Sequence, residues 1–295
     1  ALFAVTLPGR YLQFRHWLAF DLSHLSTPMW TLLVLKSQAI PLVKFIATNF
    51  LAYCFMSLLP RRWWLAMAAM LFLLFHAIPE VIGLTQPRDP IEQTVPMEPG
   101  PYREKLEAIA AKADRTCSFM VSDESERSGI MNAHVTGKLG REYVVFTDNW
   151  MREVPADESA AAMAHELGHL VTRHITTPVN FALGLLGSIL ILGLVARFHS
   201  VRPGHRLQAM LLMVLMTQTI SLLSRPALAA LNRYQEREAD AYALRMISDG
   251  EQLEQVLIRT AKANLETWQT PRWYYLYMAS YPDLAKRVAA CRKGL

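Results

Sequence analysis

His165-Glu166-Leu167-Gly168-His169 lies inside Ala160–His174, a stretch that reads as one helix, and the rest of the chain is read outward from it. On an α-helix, residues four apart sit one above the other, so both imidazoles project from one face toward a common point. Two neutral imidazoles at that separation suit one Zn²⁺ per chain, and Glu166, one residue along, is placed to act as general base on water there. Pro155-Ala156-Asp157-Glu158 opens the helix, a Pro and two acidic residues being suited to a first turn.

The 295 residues are 52% hydrophobic and only 19% charged, and the mean hydropathy is +0.16. That is too apolar for an ordinary soluble protein and too polar for one made only of membrane spans. Four apolar runs explain the excess: Pro41–Leu59, Trp63–Leu84, Pro178–Ala196 and Leu207–Leu223. Each approaches the roughly 20 residues needed to cross a bilayer. Pro60-Arg61-Arg62 joins the first pair and Arg197–Arg206 the second. Core helices of a soluble protein would show a solvent face, which these runs lack. Lys44, Asn49, His76 and Glu80 fall near span ends or a bundle interior.

The net charge of +5 is dispersed over the N-terminus, the span-flanking turns and the polar segments, a pattern of membrane anchoring that gives no nucleic-acid partner. Cys54, Cys117 and Cys291 are too few and too far apart for a disulfide framework or a cysteine zinc site. Tyr11–Phe20 suits an amphipathic helix in the membrane interface.

Gln86–Pro101 reads as a Pro-rich linker, after which the pattern becomes mixed. Arg103–Arg115 has helical spacing. Cys117–Val121, Gly129–Thr136 and Glu142–Thr147 read as short strands, with Gly137-Lys138-Leu139-Gly140 as the turn between the last two. Ala227–Asp249 and Glu251–Leu265 read as polar helices. The expected architecture is an α+β membrane protein, mostly helical, with about four transmembrane helices and a small β-sheet. Residues 1–39 form an interfacial segment and 40–84 a transmembrane pair. Residues 85–177 begin a catalytic domain, 178–225 form a membrane hairpin, and 226–295 complete the domain. Two crossings return the chain to the side it left, so the motif helix and the last segment can share one site.

A catalytic zinc site needs a third protein ligand. His174, five residues past His169, faces about 140° away on a continuous helix. Glu236 and Asp240 are the better pair: four apart, they share a helix face, so one can ligate while the other orients an imidazole.

Four ordered motifs then resemble a known family, the HtpX-type membrane zinc endopeptidases with their CAAX prenyl protease and Oma-type branches. Asn132-Ala133-His134-Val135-Thr136-Gly137 is similar to the family's Asn-Ala-Phe segment, with His134 where Phe is usual. Ala164–His169 matches the metal helix, and Glu236-Arg237-Glu238-Ala239-Asp240 the Glu-x-x-Ala-Asp helix. Ser280-Tyr281-Pro282-Asp283 and the following Arg287 resemble the closing His-Pro segment, with Tyr281 in place of His.

The resemblance implies a zincin-like catalytic domain, zinc held by His165, His169 and Glu236, Asp240 behind them, and Glu166 as general base. It also implies that Asn132, Ala133 and His134 form a strand edge on which extended protein or peptide substrates add. A phenol can donate to a developing oxyanion, so Tyr281 either preserves the histidine's role or packs as an aromatic; Arg287 pairs with a carboxylate or the substrate backbone. The implied protein is an integral zinc endopeptidase of the bacterial inner membrane, acting on membrane proteins in their quality control, with its catalytic domain in the cytoplasm. The Arg-bearing turns argue for the opposite side, but Lys36, Arg88, Arg173 and Arg225 nearly balance them. Two other readings are a non-catalytic scaffold or chaperone with a retained zinc site, and an intramembrane metalloprotease. Glu158 and Arg173 on the motif helix weigh against the second.

Overall fold

The structure is a computed structural model; it describes residues 2–72, 94–138, 141–172, 187, 189–194, 197, 205–247 and 249–293. The chain falls into two compact units, one of Ala1–Ser26, Pro87–Ile175 and Pro226–Leu295, the other of Thr27–Gln86 and Thr176–Arg225.

The first unit is built on a four-stranded mixed sheet of order β1-β2-β4-β3, from β1 (Thr94–Pro96), β2 (Cys117–Ser122), β3 (Ala133–Lys138) and β4 (Arg141–Thr147). Val144, Val145 and Phe146 of β4 are all buried, as suits a central strand covered on both faces. β4 pairs parallel with β2 and antiparallel with β3, which leaves β3 at the edge. Around the sheet lie α1 (Leu2–Ala19), α4 (Pro101–Lys112), α5 (Asp148–Glu153), α6 (Ala156–Val171), α8 (Gly250–Ala263), α9 (Arg272–Tyr277) and α10 (Leu284–Lys293), with the end of α7 (Arg206–Met246).

α6 is buried nearly all round, with Ala160, Ala161, Ala162, Met163, Ala164, Leu167 and Gly168 all inside. Ala161, Ala162, Met163, Ala164 and Leu167 join Leu106, Phe119, Phe146, Trp150, Leu253 and Val256 in one core, where burying a single large side chain contributes about 1.5–3 kcal/mol. Glu158 fixes α6 to α8 through a two-pronged pair with Arg259, both contacts 2.8 Å. Asp249 caps α8 by accepting the Glu251 N–H at 2.9 Å.

Two features of this unit differ from the sequence reading. Within the expected linker, Thr94–Pro96 pairs antiparallel with β2; three residues ending in Pro give no periodicity, and only the partner strand defines them. The strand expected over Gly129–Thr136 starts at Ala133. Gly129 is instead pressed against the N-terminal segment, where an added Cβ would lie 2.2 Å from Asp21 O. His24 N–H donates to Arg127 O at 2.9 Å beside it. Tyr11–Phe20, expected at a membrane interface, falls mainly in α1, with Phe14 1% exposed and Tyr11, Leu12 and Phe20 on the surface.

The second unit contains α2 (Thr27–Leu58), α3 (Trp63–Phe72) and the first part of α7. Ala52, Met56, Trp63, Met67, Leu192, Ala209 and Met213 form its core. Outside it, Leu207, Leu211 and Leu215 are 65%, 61% and 64% exposed on one stripe of α7. Apolar surface of that kind fits hydrocarbon better than water. Where four spans were expected, two helices among the described residues are long and apolar enough to cross a membrane, Thr27–Leu58 and Arg206–Met246. Trp63–Leu84 beyond residue 72, most of Pro178–Ala196, Leu139, Gly140 and His174 lie outside the described residues.

Both long helices overrun their expected ends. α2 starts at Thr27 and passes through Pro41, and α7 passes through Pro226, so the apolar run and the polar helix after it are one element. An internal Pro costs about 3 kcal/mol. Strong helix formers on either side, such as Ala227-Leu228-Ala229-Ala230-Leu231, offset it.

Candidate metal centre

α6 presents His165, Glu166 and His169 from successive turns, and α7 presents Glu236 and Asp240. Gly168 brings the two helices together. A Cβ there would lie 2.9 Å from Ala239 Cα and 3.1 Å from Ala239 O, so only the missing side chain permits this approach. The result is a tight donor cluster. His165 Nε2 and His169 Nε2 are 3.2 Å apart, and Glu236 oxygens lie 3.4 Å from the first and 3.5 Å from the second.

Behind the cluster, Asp240 Oδ1 lies 2.9 Å from His165 Nδ1, which turns Nε2 toward Glu236 and His169. Arg287 forks around Asp240 with Nε and Nη2 contacts of 2.8 and 2.7 Å. Burial opposes ionisation of Asp240, but the Arg287 guanidinium and His165 overcome it and hold the carboxyl well below its usual range. Of the two partners expected for Arg287, the structure supplies the carboxylate.

Glu166 is half-buried on the same helix face, and desolvation pushes its pKa up to about 7, with His165 opposing. Its Oε2 accepts the Val135 N–H of β3 at 3.2 Å. That amide points away from β4, so the outer edge of β3 faces the centre. Burial would lower the pKa of His165, but Asp240 and Glu236 raise it to about 9. A cation must therefore displace a proton to use Nε2. Apparent affinity for a divalent ion is expected to fall about tenfold per pH unit below that value, roughly 100-fold between pH 8 and pH 6. Competition with a chromophoric chelator measures it, and a flat profile would show His165 already neutral.

The residues fit a metal on an observation independent of the motif. Glu236 Oε2 is buried with no hydrogen-bond partner among the described residues; His165 Nε2 at 3.4 Å and Arg287 Nη2 at 3.9 Å are near it, so a cation would complete an acceptor that folded proteins usually satisfy. His165, His169 and Glu236 offer ligand atoms all within 4.8 Å of one another. Two imidazoles and a carboxylate suit zinc and leave a coordination position open.

The donors open onto a cleft of about 340 Å³ whose walls include Asn132, Ala133, His134, Tyr281 and Arg287. A second compartment of about 280 Å³ shares Glu166, His169, Glu236 and Tyr281, and adds Asn232, Gln235 and Ser280. Tyr281 is 62% exposed at the mouth. Partial desolvation of the hydroxyl, then the charges of Glu236 and Glu166, raise its pKa, so the phenol stays neutral and able to donate. Asn132, Ala133 and His134 are thus brought to the wall with the metal donors.

Sequence reasoning missed three residues. Gly168 was visible as a glycine inside a helix, the usual sign of a close approach. Asn264, at the end of α8, accepts the Met131 N–H on Oδ1 at 2.9 Å and donates from Nδ2 to Met131 O at 2.8 Å. It imitates a neighbouring strand just before β3, and no local pattern announces that. Arg233, three residues before Glu236, anchors the chain ahead of Tyr281. Its position on the Glu236 face was the available signal.

Comparison with known proteins gives a consistent result. Residues 99–294 match the family described as peptidase family M48. The chain is 24% identical over 315 aligned residues to the "Uncharacterized metalloprotease YhfN" of Bacillus subtilis, covering 98% of this chain and 70% of that protein. It is 27% identical over 220 residues to a "CAAX prenyl protease 1 homolog" of Oryza sativa, covering 66% and 48%. With a "Protease HtpX homolog" of Halobacterium salinarum it shares 30% over 145 residues, 49% of each. It spans about half the length of the latter two. The crystal structure of S. mikatae Ste24p superposes with a TM-score of 0.81 at 22% identity, covering 98% of this chain and 72% of that one, so the two share a fold.

Proposed function

The chain belongs to peptidase family M48, and on that premise we propose that it is a membrane-anchored zinc endopeptidase that cuts membrane or membrane-associated proteins. The observation that carries this reading is the set of His165, His169 and Glu236 donors within 4.8 Å, with Glu166 half-buried beside them. Zinc, when bound, would supply Lewis acidity and lower the pKa of water.

The chain's own groups do the remaining work. Glu166 takes a proton from the attacking water and later passes it to the leaving amine; a carboxyl raised to about 7 is poised for both. Tyr281 donates from the cleft mouth to the oxygen that gains charge. Asp240 keeps the His165 ring oriented, and Arg287 keeps Asp240 ionised. An extended substrate pairs with the outer edge of β3, Asn132, Ala133 and His134 forming the wall.

The exposed leucine stripe of α7 supports anchoring in a bilayer. The likeness to HtpX-type enzymes supports a bacterial inner-membrane location, a cytoplasmic catalytic domain and a role in membrane-protein quality control. Purified protein in lipid is expected to cleave casein or an unfolded membrane protein, to lose that activity with a chelator and to regain it with stoichiometric zinc. Cleavage indifferent to chelation would sink the proposal, and bound zinc without any cleavage would favour a scaffold.

A further inference from the structure

The mechanism leaves one buried cation unused. Arg233 is 5% exposed, lies in α7 one turn before Glu236, and forms no ion pair among the described residues. A guanidinium is held in that setting only where hydrogen bonds offset its desolvation. Here Nη1 donates to Tyr275 O and to Ala279 O, both at 2.7 Å. The guanidinium also lies 4.4 Å from the centroid of the Tyr275 ring, close enough for attraction to its face.

Both carbonyls sit where α9 ends. The Ala279 N–H, which would reach Tyr275 O in a continuing helix, donates to Tyr274 O at 3.1 Å instead. Arg233 therefore satisfies carbonyls that the end of the helix leaves open, and its charge suits the negative end of a helix. Ser280 and Tyr281 follow directly, and Tyr281 lines both compartments of the cleft. Residues three apart share a helix face. One turn of α7 thus holds a metal donor, at Glu236, and the anchor of the segment that carries the phenol.

We propose that Arg233 is a positioning residue that fixes residues 275–279 to the Glu236 helix and so holds the Tyr281 hydroxyl over the cleft. This rests on the reading of Tyr281 as a hydrogen-bond donor in the reaction. Arg233 is not among the residues that line the cleft, so its effect passes through Tyr281 and disappears when the hydroxyl is gone.

A double-mutant cycle on the zinc-loaded, full-length protein tests it. Arg233→Met is expected to lower kcat about 30-fold, a small displacement of a catalytic group being enough for such a loss. KM should stay within about twofold, and metal content should stay at the wild-type level. In a Tyr281→Phe background the same change should cost less than about threefold. Losses that multiply across the two substitutions, or loss of zinc on Arg233→Met, would make Arg233 a general structural support and overturn the proposal. If Tyr281→Phe alone keeps the wild-type kcat, the reading of Tyr281 fails first and the proposal with it, a result distinct from multiplying losses. Should Arg233→Met fail to fold, Arg233→Lys keeps a charged donor for one carbonyl. Its smaller loss must likewise vanish in the Tyr281→Phe background.

Discussion

Glu166→Gln is expected to lower kcat/KM by about 10²–10⁴, the range general-base catalysis supplies, while the protein keeps its zinc and its fold. The proposed metal donors are His165, His169 and Glu236, so the substitution removes none of them. Nor should it weaken the fold. Burial raises Glu166 to a pKa of about 7, which means that its charge is costly where it sits; a neutral amide of the same shape removes that cost. The Gln oxygen can still accept the Val135 N–H that Glu166 accepts at 3.2 Å. Thermal stability should therefore equal or exceed the wild type. Zinc content, melting temperature and cleavage rate measured on one preparation separate these effects. A variant that cleaves at the wild-type rate removes Glu166 from the mechanism, and one that loses zinc makes it part of the metal-binding set.

The second large effect is expected from Gly168→Val, a change at a residue that carries no chemistry. Replacing a helix-interior Gly would ordinarily strengthen the helix by a few tenths of a kcal/mol. Here the first added carbon meets Ala239 Cα at 2.9 Å and Ala239 O at 3.1 Å, backbone atoms that cannot swing aside. α6 and α7 must separate, and overpacking of this kind costs about 1–3 kcal/mol. The separation carries Glu236 away from the two imidazoles, so zinc content should fall well below stoichiometric and activity with it. At Gly193 an added Cβ meets nothing within 4 Å, so Gly193→Val is the control. Full zinc occupancy in Gly168→Val, with the melting temperature unchanged, would show that the helices have room to spare.

The site was more legible in the sequence than the fold around it. His165 and His169 are a local pattern, because a helix fixes their spacing whatever packs against it. Glu236 and Asp240 required more: the pair is local, but its meeting with α6 depends on Gly168 and Ala239, sixty and more residues apart. What stayed hidden is set by partners distant in the chain. Thr94–Pro96 becomes a strand only because β2 lies beside it. The start of β3 is fixed by the Asn264 amide on Met131, across more than a hundred residues. Pro41 and Pro226 misled for a different reason. Proline is a strong local signal for a break, yet in both helices the propensity of the flanking residues prevails.

The edge position of β3, where only the Val135 N–H is shown held, by Glu166, would have a consequence for which proteins such a protease spares. A strand edge offers main-chain amides and carbonyls, and can be matched only by a chain whose own are still available. A helix or a closed hairpin has spent those groups on itself. Selection would then turn on how far a stretch of polypeptide has come undone, more than on which amino acids it contains. Intact neighbours in the same membrane would go uncut without any inhibitor to protect them.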